Sequence, residues 1–349
     1  VAVTSYVLTV AVLIPISGWL TDRFGARRIF TTAVAIFTLA SVGCAVATTL
    51  PMLTVARVLQ GAGGALMVPV GRLVVLRTTA KSELVKAIAY LTWPALVAPV
   101  IAPALGGLLS TYASWRWIFL INVPLGVVGF FLARRLGPDV RSARATALDW
   151  RGFVLTATGV AALVVGMEGL RSGDPDRRVA AIGLGIGVGL LAAAVVYLLR
   201  AARPLLDLRV LRIATFRVTA FGGAVFRAVI TAVPFLLPLF FQLGFGWTAA
   251  ESGLVVMALF LGNVTIKPAT TPLMRRFGIR TVLLGAVTAS AVTLIGMAQL
   301  EPGTPLPWLL ALLAGSGIVR SIGFSAYNSA AFADGEAGRM ASANTPMSP

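Results

Sequence analysis

Histidine is absent from these 349 residues, and cysteine occurs once, at Cys44. Without imidazole there is no histidine metal site, no histidine-based triad and no histidine proton relay. A single cysteine cannot close an intrachain disulfide, and Cys44, inside an apolar run, reads as a small core residue. Charge is scarce too: 12% of residues are charged, against about 25% in a soluble domain. With 58% hydrophobic residues and a mean hydropathy of +0.92, the chain could not cover a water-facing surface, so most of it faces lipid. Acids are the scarcest charged class, 12 against 29 bases, for a net charge of +17. That excess could serve nucleic acid, but the bases sit in short clusters between apolar runs and form no basic helix face or arm, which excludes nucleic acid as a partner. Arginine outnumbers lysine 26 to 3, as in GC-rich bacterial genomes.

What is present is a series of long apolar runs. A spanning helix needs about 20 such residues, and eleven stretches qualify: 1–20, 29–48, 52–73, 85–112, 117–135, 150–170, 179–199, 218–243, 251–272, 281–299 and 306–328. They are continuous, without the period-two alternation of a transmembrane barrel. The predicted fold is therefore all-α and polytopic. The connections alternate in charge. Those after runs one, three, five, seven and nine hold Arg23, Arg27, Arg28; Arg77, Lys81, Lys86; Arg134, Arg135, Arg141, Arg144, Arg151; Arg200, Arg203, Arg209, Arg212, Arg217; and Arg275, Arg276, Arg280. The others hold almost none: 49–51, Arg116, 244–250 and Glu301. Only 171–178 departs, offset by Asp174 and Asp176. Basic loops face the cytoplasm, so the expectation is a multi-pass protein of the bacterial inner membrane. The chain starts at Val1 within an apolar run, shows no signal-peptide pattern, and is read as a fragment.

The two longest basic connections divide the chain into an N-terminal bundle at 1–135, a linker region at 136–217 with a helix pair at 150–199, and a C-terminal bundle at 218–349. The two bundles share a repeat. Leu20-Thr21-Asp22-Arg23-Phe24-Gly25-Ala26-Arg27 is echoed by Leu273-Met274-Arg275-Arg276-Phe277-Gly278-Ile279-Arg280, each in a short cytoplasmic loop after a span. Repeated halves are characteristic of secondary transporters.

Four ordered motifs carry a family resemblance. Gly18-x-x-x-Asp22-Arg23-x-Gly25-x-Arg27-Arg28 resembles the loop signature of the major facilitator superfamily, and Leu53-x-x-x-Arg57-x-x-Gln60-Gly61-x-Gly63 resembles its fourth-helix motif. Pro103-x-x-Gly106-Gly107 resembles its fifth-helix antiporter motif. The run Trp115-Arg116-Trp117-Ile118-Phe119-x-Ile121-Asn122-x-Pro124-x-Gly126, with the extra helix pair, resembles the fourteen-helix drug:proton antiporter branch. The sequence departs from the patterns at Ala26, where a base is usual, and at Ala89, Ala98 and Ala102, where glycine is usual. The resemblance implies a major facilitator fold of two bundles around a mid-membrane substrate site, with the first helix and the last two lying outside this chain. It further implies no cofactor, and it names small drug-like molecules and protons as what is moved. A proton-carrying acid is implied in the first helix of that fold.

Individual residues can be read beside the resemblance. Gly25 allows the positive φ of a tight turn, Asp22 is placed to accept hydrogen bonds at a helix end, and Arg23, Arg27 and Arg28 are placed to anchor at the cytoplasmic surface. The resemblance makes this loop, with Gly18, a conformational latch. Arg57 lies inside an apolar helix, where a charge costs at least about 2.5 kcal/mol at the centre, so it should face the interior; the alternative is snorkelling to the membrane edge. The resemblance makes Arg57 and Gln60 proton-coupling residues. Pro94, Pro99, Pro103, Gly106 and Gly107 suggest a bent, closely packed helix. Arg227, Arg320, Asn263 and Asn328 are candidate cavity residues, with Gln242 and Tyr327 more weakly so, whereas Lys267 suits snorkelling. Glu168 suits an interface, Glu251 completes a capping box with Thr248, and Trp115 and Trp117 suit an aromatic belt. No metal-ligand cluster appears. The expected function is proton-exchanging export by alternating access. The alternatives are proton-coupled uptake of an anionic metabolite and, more remotely, a membrane enzyme, for which the needed carboxylate cluster is missing.

Overall fold

The computed structural model describes residues 1–80, 83–138, 140, 147–171, 177–201, 204, 205, 208 and 214–343; of 84–86, 88, 89, 91–93, 95, 171, 177, 214–216, 218 and 331–343 it describes the backbone. Lys81, Arg141, Arg144, Asp174, Asp176, Arg203, Arg209 and Arg212 lie outside the described residues, as do the side chains of Lys86 and Ala89. Among the described residues there are only helices: α1 (Ala2–Leu13), α2 (Ser17–Phe24), α3 (Ala26–Val46), α4 (Leu50–Thr78), α5 (Leu84–Tyr112), α6 (Trp117–Leu120), α7 (Asn122–Leu136), α8 (Trp150–Arg171), α9 (Arg177–Arg200), α10 (Ala214–Phe245), α11 (Ala249–Thr265), α12 (Lys267–Phe277), α13 (Ile279–Ala298) and α14 (Leu306–Ala343).

Each of the eleven apolar runs corresponds to helix. Among the described residues nine spans are long and apolar enough to cross a bilayer alone, α1 and α2 together forming the first through a 3-10 turn at Ile14–Ile16 that contains Pro15. The run at 251–272, read as one rod, is instead the bent pair α11 and α12, turned by 49°. Pro268 opens α12 and Pro272 lies within it. Proline has no N–H to give the preceding turn, so the helix ladder is interrupted here. The remaining run, 85–112, is α5, of which Leu96–Tyr112 is the apolar portion described in full. Pro94, Pro99 and Pro103 all lie within this one continuous helix.

By packing, the chain forms two compact units: Val1–Leu91 with Arg116–Leu208, and Thr92–Trp115 with Arg209–Pro349. This differs from the division by connectivity, since 92–115 packs with the C-terminal bundle and the pair α8–α9 with the N-terminal one. Each has a local cause. In the first unit, α4 packs between α1 and α3, α3 also packs on α7, and α8–α9 docks on α1. A methyl group at Gly61 would run into Tyr6 O and Thr9, and one at Gly63 into Ala33 O and Phe37 N, so α4 approaches both neighbours at backbone distance. Asp149 ties down the extra pair: it accepts from Gly152 N–H at 2.9 Å, Tyr197 O–H at 2.9 Å and Leu205 N–H at 3.1 Å.

In the second unit, α14 is central and packs on α10, α11 and α13. Its core joins Phe241, Val256, Leu259, Leu309 and Leu313, extended by Trp247, which stacks on Phe241 with ring centroids 5.0 Å apart. Gly107 and Gly253 form a reciprocal contact: a methyl group on the first would overlap the Ala249 carbonyl, and one on the second the Pro103 carbonyl. The Ala250 N–H donates to Thr111 Oγ1 at 3.1 Å beside it. These contacts hold the end of α5 in the second unit. Thr248 and Glu251 form the expected capping box, Glu251 N–H donating to Thr248 Oγ1 at 3.2 Å and Thr248 N–H to Glu251 Oε2 at 2.8 Å.

Candidate functional site

The repeated loop is a repeated backbone turn. Gly25 ends α2 at φ 89°, ψ 142°, and Gly278 ends α12 at φ 79°, ψ 150°. The Gly25 N–H donates to Thr21 O at 2.9 Å and the Gly278 N–H to Met274 O at 3.0 Å, and each glycine carbonyl accepts from the residue four on, Ile29 or Val282. A residue with a Cβ is strained in this region of φ,ψ space, which explains glycine at the same place in both copies. The copies differ beside it. Asp22 finds its partner not at its own helix end but on another helix: Arg77 Nη1, in the last turn of α4, lies 2.8 Å from Asp22 Oδ1, with both side chains about a third exposed. Arg275 stands at the matching place in the second copy and has no acid partner among the described residues.

The remaining loop residues separate. The Arg23 guanidinium lies over the Trp19 ring at 5.7 Å. Arg27 and Arg28 are exposed and, with Thr31, Phe130 and Arg134, line a groove between α3 and α7. Gly18 has open space beside it. Ala26, where the resembled motif has a base, is fully buried, and its N–H donates to Val140 O at 3.0 Å; a long cationic side chain has no room there.

Arg57 turns inward. Its Nη1 donates to Gln60 Oε1 at 2.7 Å and its Nε to Ala2 O at 3.2 Å, with the guanidinium over the Tyr6 ring at 4.3 Å and near Phe119 at 5.8 Å. Gln60 is buried and passes the chain on: its Nε2 donates to Ser41 Oγ at 2.7 Å, and Ser41 Oγ donates to Phe37 O at 2.8 Å. The Cys44 thiol, fully buried, points at Gln60 Oε1 from 3.9 Å. The result is a directional run of hydrogen bonds from a cation into an apolar three-helix contact. Such a network polarises along its length and fixes the guanidinium. The resemblance to the fourth-helix motif pointed to Arg57 and Gln60; Ser41 and Tyr6, from other helices, carried no signal along the chain.

Of the antiporter-motif residues, Gly107 makes the close crossing with α11, whereas Gly106 faces open space. Pro103 contributes its carbonyl to that crossing. Pro99 comes together with Asn263, Lys267 and Ser321 around a cavity of about 220 Å³ at the α11–α12 break. Lys267 Nζ donates to Ser325 Oγ at 3.2 Å and lies 5.6 Å from the Phe324 ring centre.

The candidate cavity residues divide similarly. Arg320 is 6% exposed and, with Ser290, Phe226 and Tyr327, lines a mostly apolar cavity of about 430 Å³ between α10, α13 and α14. Arg227 lies on the surface of its unit and donates through Nε to Gly223 O, one turn back, at 3.1 Å. Asn328 is half-buried and borders neither cavity, and Gln242 likewise. Glu168 accepts from Thr4 Oγ1 at 3.3 Å. Trp115 and Trp117 are partly exposed, 38% and 53%, at a helix junction.

With this geometry in view, the comparisons with known proteins agree. The MdtD multidrug resistance proteins of Cronobacter sakazakii and Escherichia coli are 42% and 40% identical over 338 residues, covering 95% of this chain and 70% of each relative. Among solved structures, a POT family transporter in complex with a thioalcohol-conjugated peptide superposes with a TM-score of 0.64 at 17% identity, over 95% of this chain and 75% of that one. The nucleoside transporter NupG superposes at 0.56 and 15% identity, over 94% and 71%. The family match and the MdtD relatives make the chain a multi-pass membrane transporter, not an enzyme, and the solved structures share its fold. The model of the Major Facilitator Superfamily matches residues 1–348, and the chain belongs to that superfamily. It is a protein of the bacterial inner membrane.

Proposed function

We propose that the transport is secondary active export of small amphipathic molecules in exchange for protons, by alternating access. The observation that carries this reading is the Arg57–Gln60–Ser41 network. A charge fixed by hydrogen bonds inside an apolar bundle is costly, and in a membrane protein it marks an ion or proton path. A guanidinium is not itself a proton carrier near neutral pH. Its role is to hold a fixed positive potential, so that a nearby carboxylate or substrate gains or loses a proton at a defined point of the cycle. The multidrug-resistance name of the relatives supports amphipathic cargo. The paired turns at Gly25 and Gly278 support a cycle run by two similar halves.

Everted membrane vesicles test this. With an imposed proton gradient, acid inside, a fluorescent amphipathic cation such as ethidium is expected to accumulate, and to leak back when nigericin collapses the gradient. Accumulation that ignores nigericin, or that needs ATP, overturns the exchange. Flux in the same direction as the protons overturns the export reading in favour of symport.

A further inference from the structure

The groove between α3 and α7 in the first unit changes character along its length. Arg27 and Arg28, in the first turn of α3, and Arg134, in the last turn of α7, line one end of it, and all three are exposed. Basic connections of this kind lie on the cytoplasmic side. Further in, the walls are apolar, with Ile36 and Leu39 from α3 and Phe130 from α7. Leu39 is 72% exposed and lies twelve residues beyond Arg27, about 18 Å along the helix.

Contacts near both ends fix the spacing of the two helices. The Ala26 N–H donates to Val140 O at 3.0 Å, which ties the start of α3 to the chain leaving α7. Deeper in, a methyl group on Gly126 would overlap Thr38, so the helices meet there at close range. Between these contacts the groove offers about 770 Å³.

Three guanidiniums at one end make a local positive field, and the planar fork of each matches the oxygens of a phosphate. Inorganic phosphate would use the basic end alone and leave the apolar length empty. A phosphate that carries its own hydrocarbon chain fits both parts. Basic pockets between membrane helices on the cytoplasmic side suit acidic lipid headgroups. Thr32, exposed and one turn beyond Arg28, adds a hydroxyl where the polar end gives way to the apolar walls. The matching turn of the second unit lacks the arginine pair: Arg280 stands where Arg27 does, but Thr281 stands in place of Arg28.

We propose that the α3–α7 groove binds one acidic phospholipid of the cytoplasmic leaflet, its phosphate held by Arg27, Arg28 and Arg134 and an acyl chain laid along α3 as far as Leu39. The site lies wholly within the first unit. It does not rest on the direction of transport or on proton coupling.

The test uses the full chain purified in neutral detergent and titrated with phosphatidylglycerol or phosphatidylcholine, native mass spectrometry reading the fraction that carries a first lipid. Phosphatidylglycerol is expected to bind at least tenfold more tightly. An arginine beside acidic lipid contributes roughly fivefold, so Arg27→Gln, Arg28→Gln and Arg134→Gln should each weaken phosphatidylglycerol by about that factor, and the triple variant should lose the preference. Arg280→Gln, which removes one charge from the matching turn of the second unit, should leave it unchanged. Ala35→Trp, or Thr32→Trp from a more exposed position, obstructs the groove with all three arginines in place and should lose the bound lipid at an unchanged unfolding temperature. Equal binding of the two lipids, a preference that survives in the triple variant, or lipid retained in the folded tryptophan variants overturns the proposal. So does an equal loss in Arg280→Gln and Arg27→Gln, since diffuse attraction to the net charge then accounts for the binding. Displacement of the lipid by excess glycerol 1-phosphate or inorganic phosphate would assign the basic end to a soluble anion and overturn the lipid.

Discussion

Gly25 and Gly278 hold the same backbone conformation, φ 89°, ψ 142° and φ 79°, ψ 150°, at the ends of helices in two different units. Their carbonyls and amides make the same hydrogen bonds in both copies. The resemblance between the two eight-residue stretches is thus a resemblance of turns. Both turns need a residue without Cβ, while the charges around them are free to diverge.

Alanine at either glycine should therefore cost about 1–3 kcal/mol. Thermal unfolding in detergent is the measurement. Gly285→Ala is the control, since Gly285 lies within α13 with open space beside it and alanine there should be neutral or stabilising by about 0.5–1 kcal/mol. Equal behaviour of all three would sever the turn from the glycine.

The Asp22–Arg77 pair, about a third exposed at each end, should contribute only about 0–1 kcal/mol to stability. If the loop acts as a latch, its effect appears in transport. Asp22→Asn and Arg77→Gln are each expected to slow proton-driven export several-fold with little change in unfolding temperature, and the double variant to be no slower than either single one. Additive losses would mean that the two residues act separately.

At Gln60, replacement by leucine removes an acceptor for Arg57 and a donor to Ser41 at a buried position. The expected loss is about 1–3 kcal/mol of stability. Arg57→Ala is expected to abolish gradient-driven export while the protein still inserts in the membrane; Arg57→Lys keeps the charge but not the forked geometry, and should retain only a fraction. Vesicle transport by Arg57→Ala at the parental rate would remove this residue from the coupling.

The two adjacent glycines of α5 should behave oppositely. Gly107→Leu forces a side chain into the Ala249 backbone and is expected to destabilise by about 1–3 kcal/mol or more. Gly106→Ala meets nothing within 4 Å and should be neutral or stabilising by about 0.5–1 kcal/mol. Chemical or thermal denaturation of the purified variants separates them.

Much of this was legible along the chain because lipid imposes it. Apolar runs of spanning length, basic turns, the Thr248–Glu251 cap and the positive φ at Gly25 are local demands, each met by residues within a few positions. Arg57 was legible as inward-facing because a charge inside an apolar helix is costly, and Gln60 joined it through the motif that the two residues share. By contrast, the break at Ile266 was blurred by the apolar residues on both sides of it, which kept 251–272 looking like one rod.

Sequence by itself determined that the chain is a bundle of membrane-crossing helices built from two related halves, since hydrophobic length and backbone conformation are properties of neighbouring residues. Tertiary structure alone decided the partners. It gave Asp22 to Arg77, Gln60 to Ser41 and the end of α5 to α11. Pairings of this kind depend on which helix faces come within reach, and in a membrane every apolar face looks alike until backbones close to contact distance at small residues.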